Sequence, residues 1–400
     1  MNPYQVWVLA ALLAFSLGPL GLASWLANSV LAVFRRKRVR IALGLVALAL
    51  TLASGWVPGW LLLSSGSEFL ASPVSLREVL LLAYLHAGAL AGIGVLVFGR
   101  SRAPQAGERI PGVHGASIRD LCAADRLLAL HRERFPRDFR IRIPFNQVYR
   151  LHLREWRVRF PPSRGPSLHP DLEGLSILHL SDLHHGGYLV PEYFEAVREA
   201  VEAVAHDVLI VTGDFLDRHG RIDSLEEWLS RFPRRKESFA VLGNHDIHDH
   251  RIDDLIAALS RSGLRLIGGK VETIRRGGAA LALAGLDYQN WWRPFPLAEL
   301  RRLVPDGAFP VLATHTPCPF PAAARAGFPL VLCGHTHGGQ VRLPGVGAVF
   351  IPARYGRRYQ MGLYEDRGSY LHVHPGIGGA PAWRWACPPE FTRLVLTRKD

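Results

Sequence analysis

The chain has 400 residues, with Lys+Arg 47 against Asp+Glu 34 and a net charge of +13. A hydrophobic content of 48% excludes a disordered or collagen-like chain. The four cysteines (Cys122, Cys318, Cys333, Cys387) lack zinc-ribbon spacing and argue against a disulfide framework.

Charge is unevenly spread. Residues 1–34, 41–67 and 79–99 carry no charged side chain. Each run is long enough for a membrane span, which needs about 20 apolar residues. About three transmembrane helices are therefore expected over residues 1–99. Gly18-Pro19 lies inside the first run and can bend or break it. Arg35, Arg36, Lys37, Arg38 and Arg40 separate the first two runs, and Arg100 and Arg102 follow the third. By the positive-inside rule these basic loops, and everything after Gly99, face the cytoplasm. The expected location is a multi-pass protein of the cytoplasmic (inner) membrane with a cytoplasmic catalytic domain. His86 is the one ionisable residue in the three runs, which disfavours a channel or transporter.

Residues 100–165 are expected to form a basic connector beside anionic lipid, rich in arginine and devoid of lysine. That position favours membrane lipids over nucleic acid as the partner of its charge. Residues 117–135 read as an amphipathic helix and 148–160 alternate as a strand. Pro161-Pro162 and Gly165-Pro166 then break the chain, and the catalytic domain is expected over 166–400.

From Leu175 short apolar runs alternate with helical stretches, the pattern of an α/β layered domain. Expected strands are 176–180, 208–211 and 239–242; expected helices are 191–206 and 251–260. Polar residues crowd the strand ends. Asp182 and His184 follow the first strand, Asp214 the second, and Asn244, His245 and Asp246 the third. His315 follows an apolar run at 311–313, and His335 and His337 follow another at 330–332. Loops at the carboxyl ends of parallel strands are where open sheets build their sites. Carboxylates mixed with imidazoles suit Mn, Fe or Zn and do not describe a thiolate site.

These segments carry a resemblance. SDLH at 181–184, GD at 213–214, GNHD at 243–246, His315 and GHTH at 334–337 resemble the signature of calcineurin-like metallophosphoesterases, over about 175–398. GHTHGGQ at 334–340, PGIG at 375–378 and CPPE at 387–390 are similar to the bacterial membrane-associated branch. That branch includes UDP-2,3-diacylglucosamine hydrolases of lipid A synthesis. The resemblance implies a four-layer αββα sandwich, here preceded by the transmembrane region. It implies two divalent metal ions, with manganese ahead of iron or zinc. Asp182, His184 and His337 would hold one ion; Asn244, His315 and His335 the other; Asp214 would bridge them. Such a pair clamps the phosphoryl oxygens during in-line displacement. His245 is the expected general acid, oriented by Asp246 or raised in pKa by it.

The function expected is cleavage of a phosphodiester or pyrophosphate bond, in a phosphorylated and lipid-linked small molecule such as UDP-2,3-diacylglucosamine. Two alternatives stand beside it: a phosphodiesterase or nuclease acting on soluble nucleotides, and a non-catalytic membrane scaffold. His185 reads as a bystander and Asp217 as loop support. Trp291, Trp292 and Phe295 form an aromatic cluster, Arg354, Arg357 and Arg358 a basic turn, and Arg384 a candidate structural ion pair.

Overall fold

The computed structural model describes residues 113–120, 124–160, 167–232, 237–289, 295–343, 347–348, 351, 353, 355–379 and 381–398. The expected transmembrane region falls outside them. Among the described residues no helix is long and apolar enough to cross a membrane. The longest, Pro191–Glu202, has 12 residues, about 18 Å at 1.5 Å per residue, against a hydrocarbon core of about 30 Å. The expected fold class is therefore corrected to the α/β sandwich, with no transmembrane region found among the described residues. The expected multi-pass membrane location is withdrawn on the same finding.

Two compact units divide the chain, 1–102 with 345–358, and 103–344 with 359–400. Among described residues the first contributes a short strand at Gly347–Ala348 and a turn at Gly356–Arg358. All elements named below belong to the second. In chain order they are β1 (Val113–Asp120), α1 (Ala124–Arg134), β2 (His152–Phe160), β3 (Ser176–Leu180), α2 (Pro191–Glu202), β4 (Val208–Val211) and α3 (Ile222–Ser230). Then come β5 (Ser238–Ala240), α4 (Asn244–Ile247), α5 (Ile252–Arg261), β6 (Arg265–Leu266), β7 (Val271–Arg276), β8 (Ala279–Leu286) and α6 (Leu297–Arg302). The last are β9 (Phe309–Thr314), α7 (Phe320–Arg325), β10 (Leu330–Cys333), β11 (Gly362–Asp366), β12 (Ser369–Val373) and β13 (Glu390–Arg398).

One sheet runs β1-β2-β13-β3-β4-β5-β6 and the other β11-β12-β10-β9-β8-β7. β3, β4, β5 and β6 are parallel, as are β8, β9, β10 and β12. The central strands are near-continuous apolar runs because both of their faces are covered. Inner-facing Trp156, Ile177, Val208, Ile210 and Phe239 of the first sheet meet Leu281, Val311, Leu330 and Tyr370 of the second in one cluster. On the outer face of the first sheet, Tyr193, Phe194 and Val197 of α2, Leu225 and Trp228 of α3, and Leu255 and Leu259 of α5 form a second cluster. Behind the second sheet, α6 packs on β8, and α7 buries Phe320 and Ala323. The order is helix, sheet, sheet, helix.

The expected connector builds the edge of the first sheet. β2 pairs with β13 in parallel along nine residues, from His152–Glu390 to Phe160–Arg398, and β1 pairs with β2 antiparallel. The helix expected over 117–135 begins only at Ala124, because 117–120 is claimed by the ladder with β2. A backbone partner across the sheet outweighs helical periodicity over a single turn.

Candidate metal centre

The parallel strands of both sheets deliver the candidate ligands from their carboxyl ends. Asp182 and His184 leave β3, Asp214 leaves β4, and Asn244 opens α4 just beyond β5. His315 leaves β9, and His335 and His337 leave β10. Asp182, His184, Asp214, His335 and His337 all have left-handed backbone, with φ of 52°, 45°, 55°, 71° and 49°. Each such non-glycine residue costs on the order of 1–3 kcal/mol, and strain of this kind gathers at functional sites. It turns five side chains sharply off the strand ends. The adjoining glycines supply room. A Cβ on Gly213 would lie 2.4 Å from Gly243 N, and one on Gly334 would lie 2.2 Å from Asp182 Oδ2.

Two donor groups result, and Asp214 belongs to both. Asp182, His184, Asp214 and His337 present ligand atoms within 4.8 Å of one another, as do Asp214, His315 and His335. In the first, His184 Nε2 lies 3.1 Å from His337 Nε2 and 3.7 Å from Asp214 Oδ2, and His337 Nε2 lies 3.4 Å from Asp182 Oδ1. In the second, His315 Nε2 lies 3.3 Å from Asp214 Oδ2, 3.2 Å from His335 Nδ1 and 3.0 Å from Asn244 Oδ1. His315 Nδ1 donates to the Thr212 carbonyl at 2.7 Å, which turns its Nε2 to the site.

Burial sets the electrostatics. It pushes His184 down to about 4 and His337 well below the usual histidine range, so both stand as neutral donors. It pushes Asp182 up to about 6 against the pull of His315. Burial also opposes the charge on Asp214, but His315 and His184 hold that carboxyl well below its usual value. The same burial works against a charged His315, yet Asp214 and Asp182 carry it up to about 9. Carboxylate oxygens and imidazole lone pairs thus converge out of water, an arrangement that divalent cations stabilise and that little else does. The residues fit a divalent metal centre.

The comparisons agree with this chemistry. Residues 175–339 match the calcineurin-like phosphoesterase family. The uncharacterized metallophosphoesterase YkuE of Bacillus subtilis is 27% identical over 231 residues, 56% of this chain and 79% of the relative. The phosphodiesterase YaeI of Escherichia coli is 28% identical over 232 residues, 55% and 81% of the two chains. An uncharacterized metallophosphoesterase of Aquifex aeolicus is 28% identical over 233 residues, 56% and 86%. The chain carries a calcineurin-like metallophosphoesterase domain. It is a metal-dependent phosphoester hydrolase.

Around the candidate ligands of this metallophosphoesterase domain, several residues take places the sequence did not indicate. Asp246 faces away from its expected partner. Both its oxygens accept backbone amides: Oδ2 from Asp214 N and Gly243 N at 2.8 Å each, Oδ1 from Phe215 N at 2.9 Å. Burial raises its carboxyl to about 6. It positions the turns that carry Asp214 and Asn244 and does not steer His245. Asp246→Asn would set an amide NH2 against these donors and is expected to weaken metal binding and turnover about 10–100-fold. Metal titration and kcat on a phosphodiester check this.

His245 is exposed, with its ring edge-on to His184 at 4.7 Å and its backbone N donating to Asp214 Oδ1 at 2.8 Å. His185 is buried against Phe194 and Trp228, away from the ligand groups. Asp217 is buried and accepts from Arg218 N at 2.6 Å, in the loop beyond Asp214. Arg384 forms no ion pair among the described residues. Fully buried, it donates to the carbonyls of Pro375, Gly376, Gly378 and Cys387, and so holds the 375–378 turn beneath Asp182 and His337. Arg357 and Arg358 lie in the Gly356–Arg358 turn of the other unit. Trp291, Trp292 and Arg354 lie outside the described residues.

Sequence reasoning missed Tyr288, whose ring stands 6.1 Å from His335 and 6.2 Å from His315. Its place just after β8, among the strand-end loops, was the available signal.

Proposed function

We propose that this domain hydrolyses a phosphodiester or pyrophosphate bond with two divalent cations, and that manganese serves it best. One observation carries the reading: Asp214 belongs to both donor groups. Asp182, His184 and His337 would hold one cation, Asn244, His315 and His335 the other, and Asp214 would serve both. When bound, the cations supply Lewis-acid charge to the phosphoryl oxygens and activate the attacking water. Asn244 contributes a neutral oxygen, which leaves the site net positive toward an anionic substrate. Asp246 and the Thr212 carbonyl keep Asp214 and His315 in place, so the donors are organised before substrate arrives.

His245 stands at the mouth, within ring contact of His184. It donates a proton to the departing oxygen. His245→Ala is expected to lower kcat about 100-fold on an alkyl leaving group and far less on p-nitrophenolate, which departs without a proton. Comparing the two leaving groups checks the role.

YaeI is named a phosphodiesterase, which supports a diester over a monoester. The segments at 334–340, 375–378 and 387–390 support UDP-2,3-diacylglucosamine as the concrete lipid-linked candidate. The test offers that lipid and a soluble aryl phosphodiester side by side to Mn²⁺-loaded protein, with Asp214→Asn as control. Release of UMP from the lipid, lost in the variant, establishes the lipid substrate. Cleavage of the aryl diester alone keeps the reaction class and removes that substrate.

A further inference from the structure

Among the described residues six large hydrophobic side chains are exposed, and five of them lie in three joined segments. Phe135, Phe139 and Phe145, 38%, 71% and 81% exposed, follow α1; Tyr188 lies in the loop after His184, and Trp385 beside Arg384. Arg140 joins the first segment to the second, with its guanidinium 4.7 Å over the Tyr188 ring. Gln147 N donates to Arg384 O at 2.8 Å and Arg384 N to Asn146 Oδ1 at 3.0 Å, which joins the third. Trp385 N donates to Gln340 O at 2.9 Å, three residues beyond His337. The five rings therefore border the loops that carry His184 and His337.

The segment that holds the phenylalanines is fixed from below. Asp138 accepts from the Arg140 side chain at 2.7 and 2.9 Å, and Ile141 is buried in the outer cluster. Asn146 Nδ2 donates to the carbonyls of Arg140 and Ala382. Phe145 has left-handed backbone, with φ of 61°, which a bulky residue adopts only where its surroundings impose it. Scattered exposed hydrophobics are ordinary, but a joined group of rings marks an interaction surface.

Charge names the partner. Residues 131–145 hold five arginines against two acidic residues. Arg132, Arg137 and Arg142 are exposed and form no ion pair among the described residues. Rings beside such cations suit the boundary between headgroups and acyl chains, where the rings enter the apolar side and the arginines meet phosphate.

We propose that Phe139 and Phe145, with Arg137 and Arg142, dock this face on a bilayer that bears anionic lipid and so bring the metal centre to the headgroups. The dock is peripheral: side chains enter the interface and no helix need cross. It goes beyond the reaction above and holds whichever phosphoryl bond is cut.

The test places the environment-sensitive dye NBD on Phe145→Cys in the full chain, with Cys122→Ser; Cys318, Cys333 and Cys387 are buried. The control carries the dye on Leu303→Cys, the exposed hydrophobic outside the patch. On vesicles of mixed phosphatidylcholine and phosphatidylglycerol, the dye at 145 is expected to brighten and shift to the blue. Phosphatidylcholine alone should give little of that shift, and high salt should remove most of it. Phe139→Ser should lose most of it too, since binding scales with the apolar area buried. The dye at 303 should not respond. A dye at 145 that stays unshifted would leave the rings to a protein partner and overturn the proposal. So would an equal shift on neutral lipid or at 303, a shift untouched by Phe139→Ser, or a dye already shielded without vesicles.

Discussion

Asp214→Ala is expected to reduce phosphodiester hydrolysis at least about a thousandfold, or roughly 4 kcal/mol of activation free energy. Three connections meet at this carboxylate, which is 1% exposed. Its Oδ2 faces His184 at 3.7 Å and His315 at 3.3 Å, and its Oδ1 accepts the His245 backbone N–H at 2.8 Å. Alanine removes the donor common to both groups and releases the loop that carries His245. Stability should fall as well. Without metal the carboxylate is paired with His315, whose charge it raises, so its removal leaves a buried cation without its partner and the metal-free variant is expected to unfold earlier than the metal-free wild type. The rise in Tm on adding Mn²⁺ should be largely lost, since a ligand stabilises only the fold that binds it. Kinetics, metal content and thermal unfolding with and without chelator check the three parts. Turnover within tenfold of wild type, at full metal content, would show that Asp214 does not span the centre.

The strand-end residues were legible because two local signals coincide there: a short apolar run, then a turn rich in glycine and donor side chains. Such loops fold where they stand, so Asp182, His184, Asp214, Asn244, His315, His335 and His337 converge once the sheets form. Asp246 shows where local reading failed. Its adjacency to His245 suggested contact, yet successive residues on a helix point apart. As the third residue of α4 it turns back to the amide of Gly243, where an acidic residue at that position commonly reaches. Arg384 was opaque for another reason. Its partners are carbonyls, which any residue type provides, so no acidic residue in the sequence marks them. The sheet edge was hidden by distance along the chain, because β2 finds its partner in β13, more than 200 residues later. The same holds for His179 and His372. Each sits in a strand of its own sheet, and only the stacking of the sheets brings them together.

That buried histidine cluster leads to the second large effect, a loss of stability in mild acid. His179, His372 and His374 are all fully buried. His179 Nδ1 lies 2.8 Å from His372 Nδ1, its Nε2 lies 2.9 Å from Thr212 Oγ1, and His374 Nδ1 accepts from Gly376 N at 2.9 Å. The His179–His372 contact accommodates one proton, since a second would set two N–H groups against each other. Burial pushes His372 down to about 3, and His179 and His374 well below the usual range. The folded state thus refuses protons that the unfolded chain accepts near pH 6.5. Above that pH neither state binds them and stability is unaffected. Below it stability falls by up to about 1.4 kcal/mol per pH unit for each histidine that stays neutral. At pH 5 the three together amount to about 6 kcal/mol, comparable with the 5–15 kcal/mol that holds a typical domain. Asp246, raised by burial to about 6, acts in the opposite sense and recovers part of the loss. His185, lowered by burial to about 4, adds to it. Thermal unfolding of the Mn²⁺-loaded protein should therefore show Tm falling steeply from pH 6.5 to 5, and His372→Asn should flatten that slope by close to one proton. A Tm that holds level across this interval would mean that the cluster already carries a proton in the folded state.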